Sequence, residues 1–156
     1  MAQSRRVGTD EQNDLVNSLL TRLPEWLTTV PYDGSRIPGS PGDPAAGANC
    51  QVYAYAVLRH FGLAAPDLRS RELWHDTAST SPVTEPAPLD LALFNRTADP
   101  FGAHLGVWTD DDRVLHLCTE IGTPAVWTLT QFAARERYRT LIGFKRCHPA
   151  AARDQA

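Results

Sequence analysis

The chain predicts an α+β domain, with helices gathered towards the N-terminus and packed on a central antiparallel sheet of about five strands. Two observations carry this. Apolar residues recur at helical spacing up to about residue 76, and from residue 89 the period shortens to that of strands. A length of 156 residues suits a single domain that buries a core of its own. That core is expected over about residues 11–146, with residues 1–10 and 149–156 as flexible ends.

Residues 11–28 read as an amphipathic helix. Leu15, Leu19, Leu23 and Trp26–Leu27 recur at helical spacing, Asp10 or Asp14 lies near the start, and Pro31 ends the element. Residues 31–48 are rich in Pro, Gly and Ser and form a long irregular loop, of the kind that is usually functional or mobile. Residues 49–63 read as a second helix. Asn49 is its cap, Gly62 its stop, and Val52, Ala56 and Phe61, with Tyr55 and Leu58, its apolar face. Residues 67–76 form a short helix and residues 77–88 are turn-rich. Strands follow at 89–94, 104–109, 113–118, 124–129 and 141–146. Asp110–Asp112 turns the second strand into the third, and residues 129–137 form a short helix beside the sheet.

Composition excludes several function classes. The net charge is −3 with no run of Lys or Arg, so a nucleic-acid partner has no electrostatic support. No apolar stretch approaches the roughly 20 residues of a membrane span. The first residues carry Arg5 and Arg6 without an apolar run behind them, unlike a secretory signal. A cytoplasmic location is therefore expected, with non-classical export or delivery as an effector as the alternative. The three cysteines, at irregular spacing, are no disulfide framework. Arg135, Arg137 and Arg139 read as a solvated face.

Cys118 and Cys147 fit small buried hydrophobes. Cys50 differs, because it opens a helix after a Pro/Gly-rich loop. Helix N-termini carry partial positive charge and free N–H groups, which favour a thiolate and can hold an oxyanion. The second element of chemistry is the hairpin HLGVWTDDDRVLHL. With Asp111 at the turn centre, His104 falls opposite Cys118, two residues from His116. The two histidines then share a face with Gly106 and Val114 as diagonal neighbours. Nucleophile, base and a polar group that orients the base make up the logic of acyl transfer. His104, His116 and Cys118 are also zinc-ligand types, but no CxxC or HExxH spacing supports a zinc site, so neither metal nor cofactor is expected.

The order of a Cys-led helix, the strand LDLALF and the hairpin HLGVWTDDDRVLHL resembles the NlpC-type cell-wall peptidases, a papain-like family. Its pattern runs loop, Cys-led helix, GDLVxF strand, HVGIY strand, turn and xxIHA strand, and the resemblance covers roughly residues 30–146. It implies a papain-like fold with the Cys helix against the sheet. It also implies Cys50 as nucleophile, His104 as base, His116 as the orienting residue and Tyr32 as a helper at the oxyanion. Asn49–Cys50–Gln51 replaces the family's Asp-Cys-Ser, whose Asp helps to read the substrate's free amine. Substrate choice is therefore expected to differ at Asn49 and Gln51. Leu89 stands where the strand motif carries Gly before Asp90.

The function implied is a cysteine peptidase or amidase acting through an acyl-enzyme on Cys50. Its substrate would be a small peptide with D-residues or γ-linkages, such as a peptidoglycan stem fragment. An amine-accepting acyltransferase and a secreted wall-degrading effector share this chemistry. A non-catalytic binding module is the remaining alternative, against which the intact Cys50, His104 and His116 argue.

Overall fold

Pro24 divides the first helix that the apolar periodicity predicts. The computed structural model describes residues 19–149, in which residues 19–21 are helical, the chain turns through Pro24, and α1 runs Trp26–Thr29. Proline lacks the N–H for the helical ladder and clashes with the preceding turn, so one continuous helix cannot form. The expected start at Asp10 or Asp14 and the expected flexible ends lie outside the described residues, apart from Pro149. No helix of the described residues is long and apolar enough to cross a membrane.

Helix α2, Cys50–His60, begins where Asn49 Oδ1 accepts the Val52 N–H at 2.8 Å. It ends in a Schellman turn: Gly62, at φ +88°, lets its own N–H and that of Leu63 reach the carbonyls of Arg59 and Leu58. Its buried surface is wider than the predicted face. Residues Tyr53 to Leu58 are all buried, whereas Val52 and Phe61 are only partly so. The hydroxyls of Tyr53 and Tyr55 donate to the carbonyls of Leu27 and Leu68, each at 2.6 Å, so neither buried ring leaves a polar atom unmet. Helix α3 is short, Ser70–His75.

Six antiparallel strands form one sheet in the order β1-β6-β2-β3-β4-β5. They are β1 Thr80–Val83, β2 Leu91–Asn95, β3 His104–Asp110, β4 Arg113–His116, β5 Ala125–Thr128 and β6 Thr140–Cys147. All five predicted strands are present. The sixth, β1, lies within the segment read as turns. Its sequence TSPV carries Pro82, which a strand tolerates only at an edge, and β1 is the edge strand beside β6. The β3–β4 turn places Asp112 at φ +64°, a conformation that Asp tolerates. Leu89 sits at φ +79°, the left-handed region that favours glycine. Asp90 then anchors the start of β2, accepting the Ala87 N–H at 2.7 Å and pairing with Arg146 through two 2.8 Å bonds.

The pleat of the sheet decides where the chemistry lies. Leu91, Leu93, Leu105, Val107, Leu115 and Leu117 face α2 and its core. Ala92, Phe94, Trp108, Val114 and Trp127 face the opposite side, where they meet Phe132 of α4 (Leu129–Ala133) and Tyr138. Thr128 and Gln131 close a reciprocal capping box on α4. By the same alternation His104 and His116 belong to the second face, while Cys50 tips a helix packed on the first. They converge only at the sheet end where β2 leaves and β3 enters.

Candidate active site

The long loop closes on itself before it reaches Cys50. Tyr32 and Ala48 form a parallel bridge, in which the Ala48 N–H donates to Pro31 O (3.1 Å) and the Asp33 N–H to Ala48 O (2.9 Å). The Tyr32 N–H also donates to Gly122 O at 2.9 Å. Residues 33–47 are thus a closed excursion, and Tyr32 lies beside the tip of α2 despite its distance in sequence. Burial, with Cys50 nearby, raises the Tyr32 phenol above its ordinary range.

Cys50 is partly exposed and unpaired. The N–H groups of Leu105, Gln51 and Cys50 itself are directed at its sulfur. They favour a thiolate, as the helix-tip position predicts, but burial outweighs them and pushes the thiol up to about 11. The resting group is therefore a thiol, which corrects the expectation drawn from the helix tip alone.

The histidines meet as the hairpin register requires. Val107 pairs with Leu115 and Trp108 with Val114, and His104 Nε2 lies 2.9 Å from His116 Nδ1. Gly106 makes room between them: a Cβ there would stand 3.3 Å from His116 Cβ and would collide with Val114. An aromatic cage encloses the pair. The ring of His116 lies 4.2 Å from that of Trp127 and 4.6 Å from that of Phe132, and Tyr138 lies 4.5 Å from His104. His116 is 1% exposed, and its Nε2 has no hydrogen-bond partner. Burial pushes His116 down to about 3, with a smaller contribution from Arg135, which stacks 3.9 Å above Trp127. Burial, His116 and Arg137 together hold His104 well below the usual imidazole range. Thiol and imidazole are thus both neutral at rest.

Cys50 and His104 open onto one cleft of about 280 Å³, lined also by Tyr32, Asn95, Arg96, Cys118, Arg137 and Tyr138. His116 stands behind His104, away from solvent. Two residues expected at the substrate do not line this cleft. The Asn49 carbonyl oxygen is committed to the helix cap, and Gln51 is 5% exposed with Oε1 unpartnered. Arg137 and Arg96 do border it: Arg137 is exposed, as its reading on a solvated face expects, and Arg96, also exposed, was passed over by sequence reasoning. Only the crossing of the β2–β3 turn with the segment before β6 brings them together, and no local spacing signals that. Among the described residues, no group of three or more His, Cys, Asp or Glu side chains is placed to hold a metal ion.

No protein-family model and no curated protein matches the chain. Solved structures do. An NlpC/P60 family protein from Bacillus cereus superposes with a TM-score of 0.57 at 17% identity, over 88% of this chain and 40% of that one. NlpC1 from Trichomonas vaginalis gives 0.56 at 13%, over 88% and 44%. The NlpC/p60 domain of the peptidoglycan hydrolase SagA gives 0.52 at 17%, over 86% of this chain and 97% of that domain. The chain spans about two fifths of the length of the first two. At these identities the likeness concerns the fold: the protein has the α+β, papain-like fold of NlpC/P60 peptidases.

Proposed function

We propose that the protein is a cysteine peptidase or amidase that cleaves a small peptide amide through an acyl-enzyme on Cys50. The observation that carries this reading is one cleft shared by Cys50 and His104, with His104 hydrogen-bonded from behind by His116.

With Nε2 of His104 engaged by His116, Nδ1 is the nitrogen left to exchange a proton with the thiol. Productive chemistry needs that Nδ1 bare. His104 then carries its proton on Nε2 and donates it to His116 Nδ1, and His116 keeps its own proton on Nε2, inside the aromatic cage. As Cys50 Sγ bonds to the substrate carbonyl carbon, its proton passes to His104 Nδ1. Attack and proton transfer are coupled, because neither group is charged beforehand. The Cys50 N–H and the Tyr32 hydroxyl are the donors available to the oxyanion. The imidazolium returns the proton to the leaving amine as the C–N bond breaks. Water, deprotonated by His104, then attacks the thioester. The C–S bond breaks, the thiol regains its proton and the acid is released.

The SagA domain belongs to a peptidoglycan hydrolase, which makes stem peptides with γ- or D-linkages the first substrates to test. Cys50→Ala should abolish release of new amine from such peptides and leave the circular dichroism spectrum unchanged. Retained turnover in that variant would overturn the proposal. Product mass with and without an added amine separates hydrolysis from acyl transfer.

A further inference from the structure

The cleft is positively charged in a chain of net charge −3. Arg96 and Arg137 line it, and no Asp or Glu does. Neither guanidinium belongs to an ion pair among the described residues. Carboxylates in the vicinity are already committed: Asp33 to Ser35 and Arg36, Glu120 to Arg135. Arg137 acts directly on the reacting groups, since its charge lowers both His104 and the Tyr32 phenol. Arg96 is held on the β2–β3 turn, where its carbonyl accepts from Arg139 Nε and Thr140 Oγ1, each at 3.0 Å, and Asn95 braces the same turn against Asp99 O and Phe101 O.

Two exposed guanidiniums on the border of one small cleft, with no carboxylate in its lining, offer paired N–H donors and an uncompensated charge to an anionic ligand. A free ammonium would find no counter-charge there, and Asn49, beside the nucleophile, is neutral and spent on its cap. We infer that the cleft takes acyl donors that carry a carboxylate beside the scissile amide and no free amine next to it. Arg137 is the main specificity-determining residue and Arg96 the second. This rests on the proposed function for the word scissile, but the anion preference does not.

Two measurements keep these apart. In the first, Cys50 is alkylated with iodoacetate and with iodoacetamide at one alkaline pH. The ratio of rates, read by peptide mass spectrometry, is divided by the same ratio for glutathione. The expected ratio exceeds that of glutathione by about fivefold, the effect of one partly screened ion pair. It should fall to the free-thiol value in Arg137→Gln and be partly kept in Arg137→Lys. A ratio at or below that of glutathione, or one unchanged in Arg137→Gln, overturns the inference. In the second, Cys50→Ala protein is titrated with N-acetylglutamate and with N-acetylglutamine by calorimetry. Tighter binding of the acid by about fivefold is expected, and it should be lost in Arg137→Gln. Equal binding overturns the anion preference. Should both reagents leave Cys50 unmodified, the nucleophile reading falls, and the second titration still decides the charge preference.

Discussion

Mild acid should destabilise this protein through its two buried histidines. His116 sits about 3 in the fold against 6.5 in an open chain, and His104 is likewise held low by burial, by His116 and by Arg137. Both shifts are downward, so the stabilising contribution is intact above about pH 6.5. It falls as the pH drops, because the unfolded chain takes up protons that the native pair refuses. At pH 5 an open-chain histidine is almost fully protonated and His116 is not, which costs about 2 kcal/mol at 1.4 kcal/mol per unit. That is a sizeable part of the roughly 5–15 kcal/mol typical of a domain, and His104, also held down, adds to the loss in the same direction. With a urea slope of about 2 kcal/mol/M, the His116 contribution alone should lower the midpoint by about 1 M between pH 7 and pH 5. Tryptophan fluorescence reads this directly, since Trp127 and Trp108 are buried. The lowered carboxyls of Asp33, Asp76 and Glu120 have ordinary values of 3.8–4.5, so most of their effect lies below this window. Equal midpoints at the two pH values would refute the reasoning, as would a difference that survives in His104→Gln/His116→Gln.

Alkylation of Cys50 by iodoacetamide should accelerate with pH towards about 11, because burial keeps the thiol protonated; a rate already level at pH 7 would indicate a preformed thiolate. Gly106→Ala should destabilise the fold by about 1–3 kcal/mol in urea titration, since the added methyl meets Val114 and His116. Removing the buried Asp90 carboxylate in Asp90→Ala frees the Ala87 N–H and one half-exposed arginine, a loss of about 1–3 kcal/mol in thermal unfolding.

Those parts of the fold governed by local periodicity were legible in the sequence. The hairpin is the clearest case: an acidic tip at Asp110–Asp112, period-two strands on either side, and hence a register that joins His104 to His116. The cap at Asn49 and the stop at Gly62 likewise fixed α2. The departures share a cause, since each depends on what a distant element supplies. Edge strand β1 is too short and polar to announce itself and exists because β6 pairs with it. Arg137 is a surface arginine, as read, but only the fold brings its charge near His104, whereas Arg135 goes to Glu120 and Trp127. The state of Cys50 could not be read from its helix position, because three N–H groups compete there with a desolvation that only the assembled cleft imposes. Pro24 is the exception. Its effect is local, and the apolar spacing around it masked the break.

The central claim is that Cys50 carries the acyl group. Acid-quenched protein, taken during turnover of an anionic γ-linked peptide and digested for tandem mass spectrometry, tests it most directly. A thioester adduct confined to the Cys50 peptide, absent from Cys50→Ala, is the predicted result. Turnover with no adduct on Cys50, or an adduct on Cys118 or Cys147 in its place, would contradict it.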